Sequence, residues 1–147
     1  MWKRLRYGEK FAGLSALALF GFEFTHWFGV PGRGFVSGWD YLGWFTLALC
    51  VMTIVAGLAI PIAFVTRVSP VVPQMTAIVA AIIGLVAVVA ILVENLAQPD
   101  GAIVLSGWWL GLLAAAGVAR GGFLSMRDEY LPGVPLPDVP VRPAPVA

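Results

Sequence analysis

Cysteine, histidine and charge are all scarce in this chain. One cysteine and one histidine serve 147 residues, and charged side chains make up 12% of the total. A lone Cys50 closes no disulfide within the chain, so it carries no information about redox compartment and reads as a small buried apolar residue. A lone His26 limits metal chemistry. Glu23-x-x-His26 has the spacing of a carboxylate-bridged di-iron helix, but that centre needs a second such motif, which this sequence lacks. Two axial histidines for haem are missing within one chain, and a zinc site would have to recruit Glu94 and Asp40. No metal and no cofactor is therefore assigned. There is no P-loop, no Gly-x-Ser-x-Gly and no dinucleotide fingerprint, so no catalytic residue is assigned either. Gly32-Arg33-Gly34 is too short to cradle a phosphate. A net charge of +1, with no basic stripe laced with aromatics, gives no reason to expect nucleic acid as a partner.

What the chain has instead is apolar length. Sixty per cent of it is hydrophobic. Four runs stand out, about Phe11–Phe28, Tyr41–Val65, Met75–Ala97 and Gly107–Leu124. Each is long enough to cross a hydrocarbon core of about 30 Å at about 1.5 Å per helical residue. The reading is an all-α integral membrane protein, a four-helix bundle running up-down-up-down. A basic segment (1–10) leads into the four-span domain (11–124), and a Pro-rich tail (125–147) follows. The start resembles a signal peptide in charge and hydropathy. However, Glu23-Phe24-Thr25-His26-Trp27 stands where a small-x-small cleavage site would be, so the segment reads as a retained first helix.

Charge sets the orientation. Lys3, Arg4, Arg6 and Lys10 precede the first span, Arg67 lies between the second and third, and Arg120, Arg127 and Arg142 lie at or beyond the end of the fourth. An even number of spans puts these eight on one side, leaving Arg33 alone on the other. The positive-inside rule then places both termini in the cytoplasm of a cell with this protein in its inner (plasma) membrane. Arg120 lies near the inner end of its span, where its stem can snorkel. Trp27, Trp39, Trp44, Trp108 and Trp109 fall at the outer ends and read as an interfacial aromatic belt.

Gly29–Asp40 and Gln98–Ser106 read as outer loops, the first mobile because of its glycines and the second a turn at Pro99-Asp100-Gly101. Pro61 is placed to kink span two. Val36-Ser37-Gly38-Trp39 and Leu105-Ser106-Gly107-Trp108 open spans two and four, each after a helix with an outer glutamate, Glu23 or Glu94. This suggests two helical hairpins related by a pseudo-twofold axis, with each serine placed to cap its helix. The tail, with six prolines in Leu131–Ala147, is expected to sample polyproline II or disorder. In lipid, small residues let helices approach closely. Gly107, Gly111, Gly117 and Gly121 form two Gly-x-x-x-Gly pairs on span four. That span is expected to pack closely on span three and to lie centrally or at a dimer seam.

Few residues are left to carry chemistry. Glu23 lies inside the apolar run, with His26 at i+3 on the same face if the helix continues. Glu94 is placed at the same membrane level on span three, and Asp40 rims it. Together they would form an outer polar vestibule for a cation, a proton or a polar head group. Alternatively, Glu23 simply finds a donor near the interface.

Arg4-Leu5-Arg6-Tyr7-Gly8-Glu9-Lys10, then Ala12-Gly13, an apolar stretch and Trp27-x-Gly29 resemble the start of small uncharacterised four-span proteins of high-GC actinobacteria. Ser37-Gly38-Trp39 and the segment from Gly121 to Glu129 are similar as well. Those proteins show Leu-Pro-Trp where this chain has Thr25-His26-Trp27. The resemblance implies a bacterial membrane protein and carries no activity. The expected role is that of a non-enzymatic structural or accessory subunit, with the bilayer as its solvent and a homo-oligomer or larger membrane complex as its setting. The alternative is a small transporter, channel subunit or lipid-binding protein working through the Glu23, His26, Asp40 and Glu94 cluster.

Overall fold

The computed structural model describes residues 5–66, 71–98 and 100–127. The Pro-rich tail expected to sample polyproline II falls outside them, as do Arg67 and Arg142. The chain is mostly helical, with one small antiparallel sheet inserted among the helices.

The first helix, α1 (Tyr7–Glu23), contains no β-branched residue and is rich in Ala and Leu, which lose little freedom in a helix. Glu9 serves its first turn by accepting the Arg6 N–H at 2.9 Å. At its far end the Phe22 carbonyl collects three donors. These are the Thr25 N–H at 3.0 Å, the Thr25 hydroxyl at 2.7 Å and the Trp27 indole N–H at 2.7 Å. Satisfying an orphan carbonyl in this way fixes where the helix stops. The chain then turns into β1 (His26–Val30) and returns as β2 (Gly34–Ser37). Gly32 and Gly34 take φ of +80° and +77° in the turn between them, a conformation that costs glycine nothing. A one-turn helix, α2 (Gly38–Tyr41), follows, capped by Ser37, whose hydroxyl accepts the Asp40 N–H at 3.3 Å. Next come α3 (Trp44–Thr66), α4 (Val71–Leu96), β3 (Ile103–Val104) and α5 (Ser106–Arg127).

Three of these helices, α3, α4 and α5, are long and apolar enough to cross a membrane. Contacts between named residues fix how the long helices lie. Gly121 meets Ala12 and Gly8 meets Ser125, so α1 and α5 run antiparallel. Gly84 meets Ala119 and Gly122 meets Ala77 and Ala81, which sets α4 antiparallel to α5. Gly57 meets Ala16 and Gly13 meets Pro61, placing α3 antiparallel to α1. Thr53 reaches the Ile83 carbonyl at 3.4 Å, and Thr46 reaches Glu94 at 2.9 Å, so α3 and α4 are antiparallel too. Pro61 stays within α3 and packs on Gly13.

The sheet corrects the all-α expectation. Its order is β2-β1-β3, with Phe28 paired to Val36 on one side and to Val104 on the other. Residues 26–28, read as the end of the first span, are strand. The segments read as a mobile loop and a turn supply the other two strands. Trp27, Phe28, Val30, Phe35 and Val36 are aromatic or β-branched, and these side chains favour a pleated surface. A hydropathy run cannot register that change of backbone. Span two does not open at Gly38-Trp39 either. The chain breaks after Tyr41, and α3 begins at Trp44.

Among the described residues the interior has two clusters. At the sheet end, Leu19, Trp27, Phe28, Cys50, Ile91 and Trp108 pack together. Toward the other end the core is Ala12, Ala16, Ile60, Ala80 and Val118. Trp27 and Trp108 are thus core residues, whereas Trp39, Trp44 and Trp109 are exposed where an aromatic belt would be.

Candidate functional site

The sheet end carries the polar side chains picked out in the sequence. Glu23 closes α1 and is 1% exposed. One carboxylate oxygen lies against the α-carbon face of Gly38, where an added Cβ would be 2.7 Å away, and the Cys50 thiol sits beside it. Among the described residues no N–H or O–H donor reaches either oxygen. Cys50 is buried, as expected of a small apolar residue.

His26 does not share a helical face with Glu23, because the helix has already ended. It is exposed in β1, with its ring tilted over Phe35 at 5.7 Å. Asp40 is exposed and accepts the Ser37 hydroxyl at 2.7 Å, completing a reciprocal cap on α2. Glu94 accepts the Gly43 N–H at 3.2 Å and the Thr46 hydroxyl at 2.9 Å. Its charge therefore stands at the N-terminus of α3, where the helix dipole favours an anion. Each of the four side chains has its own local partners. Among the described residues no group of three His, Cys, Asp or Glu converges as a metal centre would require.

Trp27 organises this end. It is fully buried, and its indole lies in a slot made by three glycines. An added Cβ at Gly38 would stand 2.6 Å from the ring and one at Gly107 2.9 Å, while one at Gly111 would overlap it. The repeated Ser-Gly-Trp segments each deliver a glycine to this ring, although the first opens a one-turn helix and the second a long one. The Trp108 indole N–H, in the first turn of α5, is buried without an acceptor among the described residues.

The span-four glycines are all occupied within the chain. Gly107 and Gly111 accommodate Trp27, Gly117 faces Ser15, and Gly121 faces the Ala12 backbone. Contact with α4 falls to Gly122 and to Ala119 opposite Gly84. Sequence reading missed Trp27 as a core anchor, Gly38 as its floor and Thr46 as the partner of Glu94. The available signal for Trp27 was the repeated Ser-Gly-Trp, whose glycines both meet its ring. The chemistry available here is that of internal caps and packed rings, with one sealed carboxyl. No known family, no curated protein and no solved structure matches this chain.

Proposed function

We propose that this chain is a non-enzymatic integral membrane protein with a structural or accessory role, working within a homo-oligomer or a larger membrane complex. In this reading α1, α3, α4 and α5 all cross the inner membrane as an antiparallel four-helix bundle of two hairpins. The basic N-terminus and the tail are cytoplasmic, and the sheet lies on the opposite face. At 17 residues α1 is about 26 Å long, a little short of the hydrocarbon thickness. It lies against α5 from Gly8 to Ser15, so a bilayer crossed by α5 also contains α1.

The observation that carries the reading is the engagement of Glu94. A carboxylate placed to line a pathway is instead taken up by the Gly43 N–H and the Thr46 hydroxyl at the start of α3. Intramembrane charge points to transport when it is deep and convergent. Here Glu94 and Asp40 are each engaged in a local cap, His26 lies exposed over Phe35, and Glu23 is buried, with no three of them grouped as a metal centre would require among the described residues.

Reconstituted vesicles test this directly. Proton and monovalent-cation flux should equal that of empty vesicles, and Glu23→Gln and His26→Ala should leave assembly unchanged. Flux above background that Glu23→Gln abolishes would reject the reading. Reporters fused to either terminus should be cytoplasmic, and an external reporter would reverse the orientation.

A further inference from the structure

The four helix seams are not closed alike. Glycines bring backbones together along α1/α5, α4/α5 and α1/α3. Among the described residues the α3/α4 seam has no such glycine contact between backbones; it is packed by side chains such as Ile60 and Ala80 and tied by Gly43 and Thr46 to Glu94 at the sheet end and by Thr53 to Ile83 near the middle. Beyond the middle it opens outward into a groove of about 370 Å³. Val51, Met52, Val55 and Ala59 line one wall, and Met75 and Val79 the other. Among the described residues that line it, Thr76 alone has a polar side chain, and the groove surface itself is apolar.

We propose that this groove holds one acyl chain of a membrane phospholipid. The proposal rests on the membrane reading above. Both walls belong to helices long and apolar enough to cross a bilayer, so the groove runs along the direction that lipid chains take. Val51 to Ala59 on one wall and Met75 to Ile83 on the other each rise about 12 Å. Dividing the volume by that length gives a cross-section of about 30 Å². A helix about 10 Å across is wider than this, so a second copy would lay only a ridge of side chains into it, whereas a single polymethylene chain can lie within it along its whole length. The Pro-rich tail would bring carbonyls and amides that apolar walls cannot satisfy, which hydrocarbon penalises. A polymethylene chain has no polar group to satisfy. Met52 and Met75 give the walls a soft, adaptable surface. Lipid tails elsewhere are equally apolar, so the preference comes from dispersion contact on several sides rather than from the hydrophobic effect. Its expected size is a several-fold enrichment.

Photo-methionine incorporation tests this without changing side-chain bulk, because Met52 and Met75 both line the groove. The full chain, reconstituted in phosphatidylethanolamine and phosphatidylglycerol vesicles, is irradiated and its adducts are mapped by mass spectrometry. Photo-leucine at the exposed Leu14, Leu17 and Leu113 reports the open helix faces. Phospholipid adducts at Met52 and Met75 several-fold above those at the leucines support the proposal, as does their loss in Ala59→Phe. Val79→Phe serves as the second groove-filling variant should the first fail to assemble. Equal lipid adducts at all five positions mean ordinary bilayer contact and overturn it. So do adducts to the tail or to another copy. Absence of lipid adducts at the leucines as well would instead reject the membrane reading beneath it.

Discussion

The seams around α5 and the seam between α3 and α4 solve the same packing problem in opposite ways. Along α5, side chains are removed until backbones nearly touch. Gly121 lies against Ala12, Gly122 against Ala77 and Ala81, and Ala119 against Gly84. Between α3 and α4 the helices keep their side chains and are tied by Glu94, Thr46 and Thr53. Steric closure leaves no room between backbones, whereas polar ties fix two levels and leave a groove beyond them. Close approach suits a medium in which apolar burial gives no advantage, because each added contact is dispersion gained.

Breaking the glycine side should cost most. Trp27→Ala empties the three-glycine slot and should destabilise the protein by about 3–5 kcal/mol, read as unfolding in mixed micelles of increasing denaturing detergent. Gly121→Val should cost about 1–3 kcal/mol, and more if Ala12 cannot retreat, since the added Cβ meets backbone 2.6 Å away. Loss of the monodisperse species on gel filtration would register it. An effect of Gly121→Val no larger than that of an exposed-face substitution such as Leu113→Val would erase the contrast between the seams.

The polar side sharpens the comparison with smaller effects. Glu94→Ala removes the acceptor at the start of α3 and should cost about 1–2 kcal/mol. Combined with Thr46→Ala, the loss should be clearly less than the sum, because the two share one bond. Strict additivity would mean the tie contributes nothing. His26→Ala should change stability by less than about 0.5 kcal/mol, as expected for an exposed residue with a single ring neighbour. A larger change would give His26 a role that its position does not predict.

The long helices were legible because hydropathy persists over whole turns, and that signal survives small errors of boundary. The small-residue positions on span four were legible too, although their partners were not. Gly107 and Gly111 meet Trp27, a residue some eighty positions away in the chain, and only the fold brings them together. The sheet was hidden inside a continuous apolar run. Trp27-Phe28-Gly29-Val30 extends the hydropathy of α1 while its residue types favour strand, and the Pro31-to-Gly34 turn was the clue that a hairpin followed. The expected vestibule depended on His26 continuing the helix. Once Thr25 and Trp27 capture the Phe22 carbonyl, the i+3 relation with Glu23 no longer exists.

The pairing of α1 with α5 also bears on how the molecule comes into being. α1 has its closest neighbour in α5, made some eighty residues later, and Trp27 waits for Gly107 and Gly111 to be made. During synthesis α1 and Trp27 therefore remain without their permanent surroundings until α5 has emerged. Nascent chains halted before residue 106 should expose Trp27 to quenchers and to quality-control proteases, whereas chains extended past Arg127 should not.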